Sequence, residues 1–222
     1  MAHLIKKVIN TIFANKGYHV AHNMEKVLRR KRRINMISDF VRQSSLELIS
    51  EEIYNKKISG NVAELGVYKG DFSILINQLF PDRKLYLFDT FEGFASVDVA
   101  IDKKNGYSSF DQDFSETSVN YVLSKMQKPE NCIVKKGYFP DTAKDIEDCF
   151  VFVSLDTDLY EPIYQGLIYF YPRLVKGGYI FIHDYNNMRY KGVREAVLKF
   201  CAENDISIFP LSDACGSAIM IK

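Results

Sequence analysis

Val151 to Tyr160 reads VFVSLDTDLY, and Gly177 to Tyr185 reads GGYIFIHDY. Each stretch opens on a short run of β-branched and aromatic residues and ends on acids, with Asp156 and Asp184 standing 28 positions apart. Such runs have strand length and composition, and the residues between them carry helical patterning, which describes a strand–helix–strand unit. A crossover of this kind joins parallel neighbours, so the two carboxylates are expected at adjacent strand ends on one edge of a sheet.

The same alternation extends upstream and downstream. Strand character falls at Val62 to Leu65, Leu85 to Phe88, Cys132 to Lys135, Val151 to Leu155, Tyr179 to Ile182, Ile206 to Phe209 and Ala218 to Ile221, with helical stretches between most of them. That is the signature of a mostly parallel α/β sheet covered by helices on both faces. Only Pro210 to Ser217 separates the last two runs, too little for a crossover helix, so they are expected to pair antiparallel. A seven-stranded, doubly wound sheet ending in such a hairpin is the Rossmann-like architecture of class I methyltransferases. Ala95 to Ser115 holds Asp98, Asp102, Gly106, Asp111 and Asp113 with little apolar periodicity, and reads as a long loop over the strand ends.

Residues 1–60 read as a helical extension, serving as lid or oligomerisation element, and residues 61–222 as the sheet domain. The extension has an amphipathic stretch from Leu4 to Ala14 and a second helical stretch from Met24 through Tyr54, ending at Ser59-Gly60. Within it, Arg29 to Arg33 is a basic run, RRKRR, which reads as a solvated helix face. The whole chain has 222 residues and a formal charge of only +1, so no wider basic field supports nucleic-acid binding. The four cysteines, Cys132, Cys149, Cys201 and Cys215, form no CxxC pair, and the N-terminus lacks a signal-peptide pattern. A reduced, cytoplasmic protein without membrane insertion is expected.

The turn after the first strand, Glu64-Leu-Gly-Val-Tyr-Lys-Gly70, precedes a helical stretch from Asp71 to Leu79. Glycines at 66 and 70 permit a tight turn and close approach of a ligand to the backbone, with free N–H groups at the following helix start. The spacing departs from GxGxxG, and the acid precedes the glycines. That combination suits S-adenosylmethionine better than a nicotinamide dinucleotide: Glu64 can receive the cationic amino group, and Ser73 or the backbone near Gly70 its carboxylate. Asp89, closing Lys84-Leu-Tyr-Leu-Phe-Asp89, can accept both ribose hydroxyls or else cap the turn that follows. Phe91 to Phe94 would shape the pocket rim. Lys136 to Thr142, KGYFPDT, would line it near the adenine, with Asp141 either facing cofactor or capping the next helix.

These stretches together resemble the macrocin O-methyltransferase family of sugar O-methyltransferases, which includes mycinamicin- and novobiocin-pathway enzymes. The resemblance is carried by AELGVYKGDFSIL (63–75), LYLFDTFEGF (85–94), KGYFPDT (136–142), VSLDTDLYEP (153–162), GGYIFIHDY (177–185) and KGVREAVLKF (191–200), over roughly residues 60–222. It implies an S-adenosylmethionine-dependent, divalent-metal-dependent O-methyltransferase using Mg²⁺ or Mn²⁺. The acceptor would be a hydroxyl of a sugar or other small natural-product or glycan precursor, and the enzyme a possible homodimer. The cofactor set is then Glu64, Gly66, Tyr68, Gly70, Ser73, Asp89 and Asp141, and the metal set Asp156, His183 and Asp184.

One departure stands out. Related enzymes carry two adjacent aspartates where this chain has His183-Asp184. A neutral imidazole could coordinate, favouring Mn²⁺, Fe²⁺ or Zn²⁺, could act as general base, or could lie behind the site. Asp156, Asp158 and His183 are the catalytic candidates, and Asp158 is equally placed to cap the helix beginning at Tyr160-Glu161-Pro162. A non-catalytic cofactor-binding scaffold and a nucleic-acid methyltransferase are the competing readings.

Overall fold

The computed structural model describes residues 39–108 and 113–222. The helix expected from Leu4 to Ala14, the basic run Arg29 to Arg33 and Asp111 lie outside the described residues. Helix α1 (Phe40–Asn55) begins at Asp39, whose Oδ1 accepts from the N–H groups of Val41 and Arg42, both at 3.1 Å. The side of α1 that is buried is largely polar: Arg42, Gln43, Ser44, Glu47 and Ser50 alongside Leu46 and Ile53. The described residues belong to one compact unit. The boundary expected at residue 60 lies within it, and Leu46 and Ile53 of α1 are fully buried.

After α1 come β1 (Asn61–Leu65), α2 (Asp71–Leu79), β2 (Leu85–Asp89), α3 (Ser96–Asn105), α4 (Val119–Ser124), β3 (Cys132–Lys136) and β4 (Phe150–Leu155). The rest is α5 (Tyr160–Arg173), β5 (Leu174–Ile182), α6 (Lys191–Asn204), β6 (Phe209–Pro210) and β7 (Ala218–Ile221). Seven strands form one sheet in the order β3-β2-β1-β4-β5-β7-β6. Strands β1 to β5 pair parallel, and β7 runs antiparallel to both β5 and β6, as the short connection requires.

Two expectations are corrected. The last-but-one strand is not Ile206 to Phe209 but only Phe209–Pro210. Ile206 instead closes α6, its N–H bonding the Cys201 carbonyl at 3.1 Å after the left-handed Asp205, so its apolar side chain caps a helix end rather than entering a strand. The stretch expected as a loop from Ala95 contains α3, ended by Gly106 in the left-handed region. Its buried residues are Asp98 and Asp102, one helical turn apart, while Val97 is exposed, so its inward periodicity is acidic and invisible to an apolar pattern.

Strand β4 is buried at every position, as a central parallel strand must be. A register shift between Phe150 and Phe152 sends the two rings to opposite faces. Phe150 packs edge-on against Phe170 of α5, and Phe152 stacks on Phe80 and meets Phe181 edge-on. The two rigid layers align the carboxyl ends of β1, β2, β4 and β5.

Candidate active site

Register puts the functional residues in one row. Leu65 pairs with Phe88 and with Leu155, and Leu155 pairs with Ile182. The next residue of each strand therefore lies in line along the sheet edge, as Asp89, Gly66, Asp156 and His183. Backbone bonds continue the ladder one step past the strands: Gly66 N–H to Phe88 O at 2.9 Å, Asp156 N–H to Leu65 O at 2.8 Å and His183 N–H to Leu155 O at 2.9 Å. Above this row opens a cavity of about 640 Å³, the size of a small-molecule site.

Gly66 has φ +88°, and a Cβ there would come within 2.0 Å of the Asp156 carbonyl oxygen. Only glycine lets the ends of β1 and β4 meet this closely. Glu64 is 2% exposed, and Ser73 Oγ donates to its Oε2. Burial pushes the Glu64 carboxyl up to about 8, further raised by Asp156 and opposed by the Ser73 bond. Ser73 is wholly buried behind Glu64 and is not a wall of the cavity, so it orients the acid rather than meeting a ligand. Gly70 likewise lies off the cavity, starting α2 with its Cα facing Val122.

Asp89 faces the cavity and accepts three backbone N–H bonds: Val67 at 2.7 Å and Tyr68 at 2.9 Å on Oδ2, and Phe91 at 2.6 Å on Oδ1. Both readings of this residue meet here, because the carboxylate ties the two turns together and keeps about one acceptor position for a ligand. Tyr68, Gly93 and Phe94 line the cavity, whereas Phe91 and Glu92 do not. After β3, Gly137, Tyr138 and Phe139 form another wall. Asp141 is not among its walls and is paired at the surface with Lys144 at 2.7 Å.

The second half of the cavity is acidic. Carboxylate oxygens of Asp156, Asp158 and Asp184 lie within 4.8 Å of one another. Asp158 and Asp184 both take left-handed backbone conformations, φ +61° and +58°, a strain found where side-chain aim matters more than local stability. His183 Nδ1 is 2.8 Å from Asp156 Oδ1 and 2.7 Å from Asp184 Oδ2. Neither contact meets hydrogen-bond geometry, but both carboxylates lie at ion-pair distance from this buried nitrogen. Three crowded carboxylates facing a common point are what a divalent cation would satisfy.

Burial raises all three carboxyls in this group, but the charges divide them. Burial opposes ionisation of Asp156, yet His183 and Arg42 outweigh it and hold its carboxyl well below the usual range. Asp184 is lowered too, burial again being outweighed by His183. For Asp158, burial together with the charges of Asp156 and Asp184 outweighs the lowering by His183 and holds its carboxyl well above its ordinary value. His183 is raised despite burial, chiefly by Asp156.

Asp158 does not cap α5. The helix starts after Leu159 with no side-chain cap from its own chain neighbours, and the Tyr160 N–H is taken by Asp102 Oδ1 at 3.1 Å. A residue from α3 thus frees Asp158 to face the cavity. Sequence reasoning also missed Arg42, whose Nη2 lies 3.0 Å from Asp156 Oδ2 and 3.4 Å from Ser154 Oγ, with its guanidinium 3.9 Å above the Phe72 ring. It missed Asp98, which faces the cavity and accepts from the Tyr138 hydroxyl at 2.9 Å, and Asn187, which donates to Asp184 Oδ1 at 2.6 Å.

The chain is similar to known proteins. The demethyldecarbamoylnovobiocin O-methyltransferase of Streptomyces niveus is 25% identical over 173 residues, 71% of this chain and 64% of its own length, so the chain spans slightly less than two thirds of that relative. The 8-demethyl-8-(2,3-dimethoxy-alpha-L-rhamnosyl)-tetracenomycin-C 4'-O-methyltransferase of Streptomyces olivaceus is 25% identical over 193 residues, 80% of this chain and 71% of its own. The structure of the O-methyltransferase NovP superposes with a TM-score of 0.66 at 20% identity, covering 82% of this chain and 79% of that one. This likeness shows the class I methyltransferase fold, Rossmann-like with an antiparallel C-terminal pair. Residues 29–218, which span every strand that builds the acid row, match the family profile described as macrocin-O-methyltransferase (TylF), and the chain belongs to that family.

Proposed function

We propose that the protein transfers the methyl group of S-adenosylmethionine to a hydroxyl of a sugar-bearing small molecule, with a divalent cation held at the acidic half of the cavity. The observation that carries this reading is the meeting of two acid sets in one cavity: Glu64 and Asp89 from β1 and β2, and Asp156, Asp158 and Asp184 from the ends of β4 and β5. The named activities of the two Streptomyces relatives and the family membership support O-methyl transfer, and the rhamnosyl group in one name supports a sugar acceptor.

In this reading Glu64 takes the amino group of the cofactor, and the Gly66 turn lets the rest pass close to the backbone. Asp89 offers its remaining lone pair to the ribose. Asp156, Asp184 and His183 would hold the cation, which when bound makes a coordinated hydroxyl easier to deprotonate. The hydroxyl oxygen forms a bond to the methyl carbon as the carbon–sulfur bond breaks, and the hydroxyl proton goes to a base. Asp158 fills that role, because its carboxylate faces the same cavity beside Asp156 and Asp184, where the acceptor hydroxyl would lie. The cavity walls would hold acceptor and donor in line, which supplies orientation rather than covalent chemistry.

The test is labelled methyl transfer from S-adenosylmethionine to a set of rhamnosides and related glycosides. Asp158→Asn is expected to lower kcat by roughly 10²- to 10⁴-fold, the usual share of a general base, while calorimetry shows S-adenosylhomocysteine bound as in wild type. Unchanged turnover in that variant would remove Asp158 from the mechanism.

A further inference from the structure

Asp184 belongs to two donor sets. Besides the three-aspartate group, ligand atoms of His183, Asp184 and Cys215 lie within 4.8 Å of one another. All four cysteines of the chain are free thiols, and Cys215 alone faces the cavity. Its position follows from strand register. Ile182 pairs antiparallel with Ala218, so the residues after β5 run alongside those before β7.

The turn that carries Cys215 is built tightly. Ser217 N–H donates to Asp213 Oδ1 at 2.6 Å, Ala214 N–H donates to Asp39 Oδ2 at 2.8 Å, and Asn186 N–H donates to Gly216 O at 2.9 Å. The thiol is therefore held beside the residues that follow β5, with little ordering left for a ligand to impose. A small apolar role does not account for a thiol that faces a charged cavity beside an imidazole and a carboxylate.

The chemistry of the two sets differs. Three carboxylates suit a hard, oxygen-seeking ion, whereas thiolate, imidazole and one carboxylate suit a borderline ion that keeps an open position. We propose that Cys215, with His183 and Asp184, makes the cation position those two residues help to hold selective for a thiophilic divalent ion of the Zn²⁺ class. Coordination expels the thiol proton to solvent and leaves the sulfur as thiolate. This rests on the reading of the acid cluster as a cation site, and extends it to a residue and an ion preference.

Co²⁺, a coloured stand-in for Zn²⁺, tests it without recourse to turnover. Titration of the full chain with Co²⁺ is expected to give a near-ultraviolet thiolate-to-cobalt absorption band that Zn²⁺ abolishes and a large excess of Mg²⁺ does not. Cys215→Ser is expected to lose the band and to bind Zn²⁺ at least about tenfold more weakly, the scale of losing one directed ligand contact. Cys201→Ser, remote from the cavity, is expected to keep both, and S-adenosylhomocysteine binding reports folding of each variant. Cobalt bound without a sulfur band, or with a band that survives Cys215→Ser, overturns the role of Cys215 and leaves the carboxylate reading standing. Absence of any Co²⁺, Mn²⁺ or Mg²⁺ binding overturns both.

Discussion

Arg42 and Asp156, 114 positions apart in the chain, form an ion pair at 3.0 Å between the first turn of α1 and the end of β4. The same guanidinium nitrogen touches Ser154, which lies two residues earlier and so on the same face of the strand. Together with His183, this cation offsets the negative charge that Asp156 brings beside Asp158 and Asp184.

Arg42→Met is expected to lose that pairing and cost about 2 kcal/mol. This is less than the cost of breaking a fully buried pair, because Asp156 retains some contact with solvent. Urea denaturation measures it. Arg42→Lys recovers only part of the loss, since an ammonium cannot both stack on Phe72 and reach two oxygens as a planar guanidinium does.

Gly66→Ala drives a methyl group into the Asp156 carbonyl at a φ of +88°. The two strand ends must separate, and the variant is expected to lose on the order of 3 kcal/mol or more, or not to fold at 37 °C. A denaturation midpoint within error of wild type would show that the β1–β4 junction relaxes at no cost.

Glu64, pushed up to about 8 by burial, holds a proton at neutral pH in the free protein. An ammonium beside it favours the carboxylate, so its pKa falls on binding and a proton leaves. Calorimetric titration with S-adenosylhomocysteine near pH 7 in buffers of different ionisation enthalpy is expected to show release approaching one proton. Glu64→Gln is expected to show none and to bind at least about tenfold more weakly, the scale of a charge-assisted hydrogen bond.

Asp102 caps α5 through Oδ1, and its buried Oδ2 has no partner. Burial raises its carboxyl from 3.8 to about 6. The folded state therefore binds this proton more tightly than the unfolded chain, and the ionised form weakens the fold as pH rises from the lower value through the higher. Relative to Asp102→Asn, wild type is expected to lose ~1–2 kcal/mol between about pH 4 and pH 7. Parallel denaturation curves for the two proteins would remove this coupling.

The strand ends were legible because buried parallel strands leave unmistakable apolar runs, and Glu64, Asp89, Asp156, His183 and Asp184 each close or adjoin one. Helix α1 was expected, within the stretch through Tyr54, and α3 was not, but the residues that each turns inward were missed for a shared reason. Their inward faces carry Arg42, Gln43, Glu47, Asp98 and Asp102, so a search for apolar periodicity passes over the residues that do the packing. Asp141 and Ser73 had the right composition for a cofactor contact, but one faces solvent beside Lys144 and the other lies behind Glu64.

What the sequence determined by itself is the order of elements, the family and the two sets of acids, since local hydrophobic runs and glycine turns act over a few residues. Only the tertiary structure decided how those acids are used. Strand register aligned Asp89, Gly66, Asp156 and His183 in one row, α3 supplied the cap that freed Asp158, α1 brought Arg42 to Asp156, and β7 carried Cys215 to His183. Each of these is a contact between segments far apart in the chain, set by packing and pairing that no local pattern encodes.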